Sequence, residues 1–309
     1  MYYFKHRHFS FSTRFSENRV LTFMTSDSAA NRPKQTDARE FFINLARAFG
    51  GAILFSFPVL MTMEMWFLGF YMNGLRLALF ILLTVPLLIG LSYYDGFETT
   101  SSVWDDTVDT FVAYAVGFVA STTLLFLFGV IEIGMSADEI IGKISVQAIV
   151  SSFGAMFARS LLSGDDAAEK EAQKRKREAS YFGELFLMIV GAVFLSMSVA
   201  PTEEMVLISY RMTDWHTLAL AAGSIAMMHA FVYAVAYKEF ENPLWNRLSF
   251  IEGFLRFTVV GYAIALGISF YILWTFGSID EMAFAEQLKA AVVLGFPAAI
   301  GASASRLIL

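Results

Sequence analysis

Residues 51–65 read GAILFSFPVLMTMEM, and residues 191–205 read GAVFLSMSVAPTEEM. Laid together without gaps at an offset of 140 residues, they share Gly51/Gly191, Ala52/Ala192, Ser56/Ser196, Val59/Val199, Thr62/Thr202, Glu64/Glu204 and Met65/Met205. Two unrelated apolar stretches would match at roughly one or two such places by composition, and shared Ser, Thr and Glu weigh more than shared Leu. The likeness continues with small shifts. Gly117 pairs with Gly261, and FGAMFARSLL (153–162) pairs with IGASASRLIL (300–309) through Gly154/Gly301, Ala155/Ala302 and Arg159/Arg306. The pattern predicts two four-helix units in tandem. Each has an even number of crossings, so both run in the same sense, related by an axis along the membrane normal.

The composition sets the surroundings. Of 309 residues, 57% are hydrophobic and only 16% charged, with a mean hydropathy of +0.57. Soluble domains hold about 25% charged residues, so this is a polytopic membrane chain, and it is too apolar to remain disordered. A net charge of −6 has the wrong sign for a nucleic-acid partner, and the absence of cysteine excludes disulfides, thiolate metal sites and a cysteine nucleophile.

Eight apolar stretches are long enough to cross a bilayer: 45–68, 75–93, 110–132, 140–162, 184–208, 215–237, 253–276 and 285–308. At 1.5 Å rise per residue each covers a hydrocarbon core of roughly 30 Å, and in lipid each must be helical. The expected fold is therefore all-α, with eight transmembrane helices. Residues 1–44 read as a flexible basic cytoplasmic tail, with a membrane-surface segment as the alternative and the start open between Met1 and Met24, followed by a first membrane repeat over 45–162. A charged linker spans 163–183, and the second repeat covers 184–309. Small residues in GASAS (301–305) and GISF (267–270) are expected to permit close packing of helices.

Lys and Arg set the orientation. Arg39, Arg47, Lys170, Lys174, Arg175, Lys176, Arg177 and Lys238 fall on the side of the N-terminus, against Arg76, Lys143, Arg211 and Lys289 on the other. Both termini are expected in the cytoplasm of a bacterial inner membrane.

The shared motif carries the chemistry. Glu64 and Glu204, with hydroxyls of Thr62, Thr202, Ser56 and Ser196, form a candidate cation- or proton-binding set. Pro58 and Pro201 free backbone carbonyls nearby, as in interrupted transporter helices, although the two prolines are not equivalent. A carboxylate at mid-span costs about 2.5–3.5 kcal/mol on insertion scales. Glu64 lies about 25 Å beyond Arg47, near the outer boundary, where an acid simply ending a span is an equal reading.

His229, mid-span, is a candidate proton relay, with a hydrogen-bonded histidine between helices as the plainer alternative. Asp105, Asp106 and Asp109 resemble a metal cluster but precede the expected helix, so N-capping and compensation of the helix dipole explain them. Trp104 and Trp245 read as interfacial aromatics. No soluble catalytic motif is present, and no enzyme activity or cofactor is expected.

The segments FSFPVLMTMEMWFLG (55–69), WDDTVDT (104–110) and PTEEM (201–205) resemble an uncharacterised bacterial family of integral membrane proteins. The resemblance covers most of residues 40–309 and implies an inner-membrane location, without a substrate or catalytic residue. The leading functional expectation is a small secondary transporter or ion-conducting protein for a cation or protons. A non-transporting sensor, scaffold or assembly partner is the alternative. The topology is tested by reporter fusions: sites after Leu309 and near Ala172 should report cytoplasm, and sites at Asn73 and Ala137 periplasm. An external signal at Ala172 would refute the eight-span arrangement.

Overall fold

Apolar runs without strand-like alternation, in a chain that must satisfy its own backbone, give helices throughout. A computed structural model describes residues 38–95, 102–162, 174, 175, 179–238 and 250–308. The basic tail up to residue 37, nearly all of the charged linker and Trp245 lie outside the described residues, as do the side chains of Arg159 and Arg306. Residues from Phe42 onward group as one compact unit.

The helices of the first half are α1 (Ala38–Leu60), a short α2 (Met63–Tyr71), α3 (Gly74–Asp95), α4 (Val103–Leu127) and α5 (Ala137–Leu162). The second half comprises α6 (Tyr181–Val199), a short α7 (Glu203–Arg211), α8 (Asp214–Lys238), α9 (Phe250–Gly253), a π-helical turn (Phe254–Val259), α10 (Val260–Phe276) and α11 (Phe284–Ile308). Seven helices among the described residues are long and apolar enough to cross a membrane. The expected sixth stretch, 215–237, is continuous helix within α8 but is not among those seven. Its side chains are described only to Phe231, and that portion opens on the polar run Asp214, Trp215, His216 and Thr217.

Two expected spans are corrected. The stretches 45–68 and 184–208 are not single helices, because each breaks at its threonine. Thr62 and Thr202 take extended backbone, at φ −89°, ψ 128° and φ −74°, ψ 134°. Each threonine turns back on the helix before it. The Thr62 N–H and hydroxyl donate to Val59 O at 3.1 and 2.7 Å, and those of Thr202 donate to Val199 O at 3.1 and 2.9 Å. One orphan carbonyl at each helix C-terminus is thereby satisfied without water. In the first half Trp66 also donates its indole N–H to Leu60 O at 2.7 Å. The short helices then stop alike, at Met72 and Met212, whose N–H groups donate to Leu68 O and Ile208 O. Pro58 lies inside α1 and Pro201 in the break, so the matching geometry comes from the threonines.

The fourth long helix of each half, α5 and α11, is the most buried of the seven candidate spans. Both are rich in Gly, Ala and Ser, which let backbones approach closely. A methyl group on Gly51 would lie 2.5 Å from the carbonyl oxygen of Gly154, and one on Gly191 would collide with that of Gly301. The GASAS expectation is met at Gly301. Gly267 of GISF is different: it is exposed and has open space around it.

The halves meet through aromatic side chains. Phe194 packs edge-on against Phe157 and Phe55, with ring centroids at 5.0 and 5.6 Å, and tilted against Phe153 at 6.4 Å. Phe80 packs against Phe276 at 5.9 Å and Tyr271 at 6.3 Å. Beside them Arg76 Nη1 reaches both carboxylate oxygens of Asp280, at 2.7 and 2.9 Å, and Trp274 O at 2.8 Å. Its guanidinium also sits 4.6 Å from the centre of the Trp274 ring. Arg76 thus completes the C-terminus of α10, which ends on Gly277 in left-handed conformation.

Replacing Gly154 or Gly301 with leucine should cost about 1–3 kcal/mol or more, as overpacking of a tight contact does. Gly267→Ala should stay within about 0.5 kcal/mol, as at an open surface position. Thermal unfolding in detergent distinguishes the two outcomes.

Candidate functional site

The residues singled out by the shared motif fall at three levels. Ser56 and Ser196 are both fully buried. Ser56 donates to Ala52 O one turn back, at 2.5 Å, whereas the Ser196 hydroxyl has no hydrogen-bond partner among the described residues. Thr62 and Thr202 are committed to Val59 O and Val199 O, so neither hydroxyl caps the short helix beyond it. Glu64 and Glu204 sit in the first turns of α2 and α7, where a negative charge faces the positive end of the helix dipole. Glu64 is half-buried and Glu204 exposed. Among the described residues neither forms an ion pair.

The acid of the second half that acts on the same group as Glu64 is Glu203, the neighbour of Glu204. Tyr71, the last residue of α2, has its phenol held above the ordinary value of 10.0, first by partial burial and then by the negative charges of Glu203 and Glu64. The two breaks thus bring one carboxylate from each half within electrostatic reach of one tyrosine. The sequence contained Glu203 but could not separate it from Glu204, since adjacent residues point about 100° apart only once the helix start is known.

His229 lies between helices. Its Nδ1 is 3.0 Å from Thr258 Oγ1, and its ring meets Phe254 edge-on with centroids at 5.2 Å. Both contacts are to the π-helical turn. The Thr258 contact is the hydrogen bond between helices that the plainer sequence reading expected.

The aspartates are a correction. They do not precede the helix: α4 begins at Val103, and its N-cap is Ser102, whose hydroxyl accepts from the Asp105 N–H at 3.2 Å. Asp106 and Asp109, one turn apart, are both buried. Ser92 of α3 donates to Asp109 Oδ2 at 2.6 Å and lies 3.3 Å from Asp106 Oδ1. Glu184, in the first turn of α6, is fully buried as well. Ser92 and Glu184 escape a reading of the sequence. The signal for the earlier helix start is Ser102 with Asp105 three residues later, a capping spacing. Among the described residues, no group of three His, Asp or Glu side chains is placed to hold a metal.

Polar groups of these kinds, enclosed by helices of spanning length, are those of an integral membrane protein. A family model described as "Putative integral membrane protein (DUF2391)" matches residues 44–309. The chain belongs to the DUF2391 family. It is a multi-pass membrane protein in contact with lipid. No curated protein and no solved structure matches it.

Glu203→Gln should lower the Tyr71 midpoint toward 10.0, and Glu64→Gln should lower it by a smaller step, since removing a negative neighbour favours the phenolate. Burial should keep it above 10.0 in both variants. Alkaline titration of labelled tyrosine by NMR reads the midpoint. An unmoved midpoint in both would mean that the acids do not converge.

Proposed function

We propose that the protein is a small secondary transporter or ion-conducting protein for protons or a small cation in a bacterial inner membrane. In this reading the chain crosses the bilayer eight times. Two four-helix repeats, 45–162 and 184–309, run in the same sense, with a cytoplasmic tail over 1–44, a cytoplasmic linker over 163–183 and both termini inside. The helix α8, with 25 residues, is about 37 Å long and supplies the eighth crossing. Support for the duplication comes from the matching breaks at Thr62 and Thr202 and from the parallel contacts Gly51 on Gly154 and Gly191 on Gly301.

The observation that carries the functional reading is the pair of interrupted helices, each with hydroxyls before the break and a carboxylate just after it. Glu64 and, from the second half, Glu203, the neighbour of Glu204, act on Tyr71, which makes a shared negative region where a cation would gather. Glu64 and Glu204, with Thr62, Thr202, Ser56 and Ser196, are the proposed ligand set, and His229 the proposed proton relay deeper in the span. The Ser196 hydroxyl supports a polar ligand at that depth, since a buried hydroxyl without a partner is costly.

One feature favours the other reading, a non-transporting scaffold or sensor. Much of the contact between the halves is a cluster of four phenyl rings, Phe55, Phe153, Phe157 and Phe194, which carry no polar group.

Ion flux in proteoliposomes decides between them. The Glu64→Gln/Glu204→Gln variant should insert and fold normally but lose ion-dependent flux, because Gln keeps the volume and removes the charge that offsets a partly dehydrated cation. Normal flux in this variant would refute the site. No flux from the unsubstituted chain under any proton or cation gradient would favour the scaffold.

A further inference from the structure

The π-helical turn Phe254–Val259 is an irregularity that neither the fold nor the proposed site requires. Its origin lies in a difference between the two halves. VDTF (108–111) aligns with IEGF (251–254) at an offset of 143 residues, whereas YAVG (114–117) aligns with TVVG (258–261) at an offset of 144. The second half therefore carries one extra residue between 254 and 258. In the first half the corresponding helix, α4, is uninterrupted α-helix from Val103 to Leu127. One inserted residue, absorbed without disturbing the helix on either side, gives a π-turn.

Side chains from two other helices hold the turn. Thr258 Oγ1, fully buried, meets His229 Nδ1 of α8 at 3.0 Å. The carbonyl of Arg256 accepts the Tyr181 hydroxyl of α6 at 3.1 Å, and the Tyr181 ring packs edge-on against Phe257 at 5.6 Å. Within the turn Val260 N–H donates to Leu255 O, the five-residue bond that defines it. Beyond it, α10 is fastened to the first half at its far end through Arg76, Trp274 and Asp280.

We infer that the π-turn is a hinge with one residue of slack, pinned by Tyr181 and His229, which lets residues 250–257 rotate against α10 while α10 stays fastened to the first half. Moving the extra residue out through the nearby helix start at Phe250 keeps α10 in place. The inner segment then turns by about 100° and advances about 1.5 Å, the step of one residue in an α-helix. Each residue takes the direction its predecessor now has. Phe257, now buried, would occupy the exposed direction of Arg256, and Leu255, now exposed, would take the half-buried direction of Phe254. The inference rests on the repeat alignment used in the proposed function, but its readout is side-chain exposure and does not depend on ion flux.

The chain contains no cysteine, so single cysteines report exposure without background. In the unsubstituted chain, cysteines at 251, 252 and 255 should react with a lipophilic maleimide and one at 257 should not. Tyr181→Phe with Thr258→Val removes both pins and keeps the shapes. In that background position 257 should gain reactivity several-fold and position 255 should lose it. Deleting Leu255 restores the spacing of the first half. In the deleted chain, removing the pins should change nothing.

A second measurement needs no substitution. Amides at 255–260 should exchange at least about tenfold faster than those of 112–116, the equivalent stretch of α4. Unchanged labelling after pin removal, or equal protection of the two stretches, would overturn the hinge. A shift that persists after deletion of Leu255 would overturn it too, since the slack would then lie elsewhere.

Discussion

The backbone hydrogen bond, in a place without water to replace it, is the constraint on which the rest of this structure depends. Inside hydrocarbon an unpaired N–H or C=O costs several kcal/mol, so any interruption of a helix must be closed by the chain itself. At Thr62 and Thr202 one residue type does this twice: its N–H and its hydroxyl both return to the carbonyl three residues back. At the end of α10 a guanidinium does it, and at the π-turn a tyrosine hydroxyl does. The irregular points are those where side chains have been recruited to finish backbone bonds. These points also carry Glu64 and Glu204, His229 and the contact of Arg76 with Asp280 between the halves.

Much of this is legible in the sequence. The all-helical class comes from the length of the apolar runs. Close packing at Gly301 follows from its GASAS run, because only small residues let backbones approach so closely, whereas the GISF run misleads at the exposed Gly267. The breaks are harder to place. Proline is the stronger helix breaker, yet Pro58 sits within α1 and the interruption falls four residues later at a threonine. A threonine in a span bonds to its own helix or ends it, and the choice depends on tertiary packing beyond it, which periodicity does not encode. Asp106 and Asp109 are misplaced for a related reason. Starting α4 at residue 110 rather than at Val103 turns two buried carboxylates into surface caps. The inter-half contacts of Phe194 and Arg76 carry no signal in the sequence, since they join residues far apart in the chain.

The two halves share local geometry but not surroundings. Glu64 is half-buried and Glu204 exposed, Trp66 closes a carbonyl that Val206 cannot, and one half holds a π-turn where the other has plain α-helix. Equal sequence positions have therefore been placed in unequal environments.

The position of α5 and α11 bears on how the protein is made. Each is the last helix of its half to leave the ribosome and the most buried one, and its small residues supply the surface against which the earlier helices pack. Until Gly154 arrives, Gly51 has nothing to lie against. In synthesis the first three long helices of each half precede the one whose glycine their partner glycine packs against, although α3 and α4 can already pair through Ser92 and Asp109.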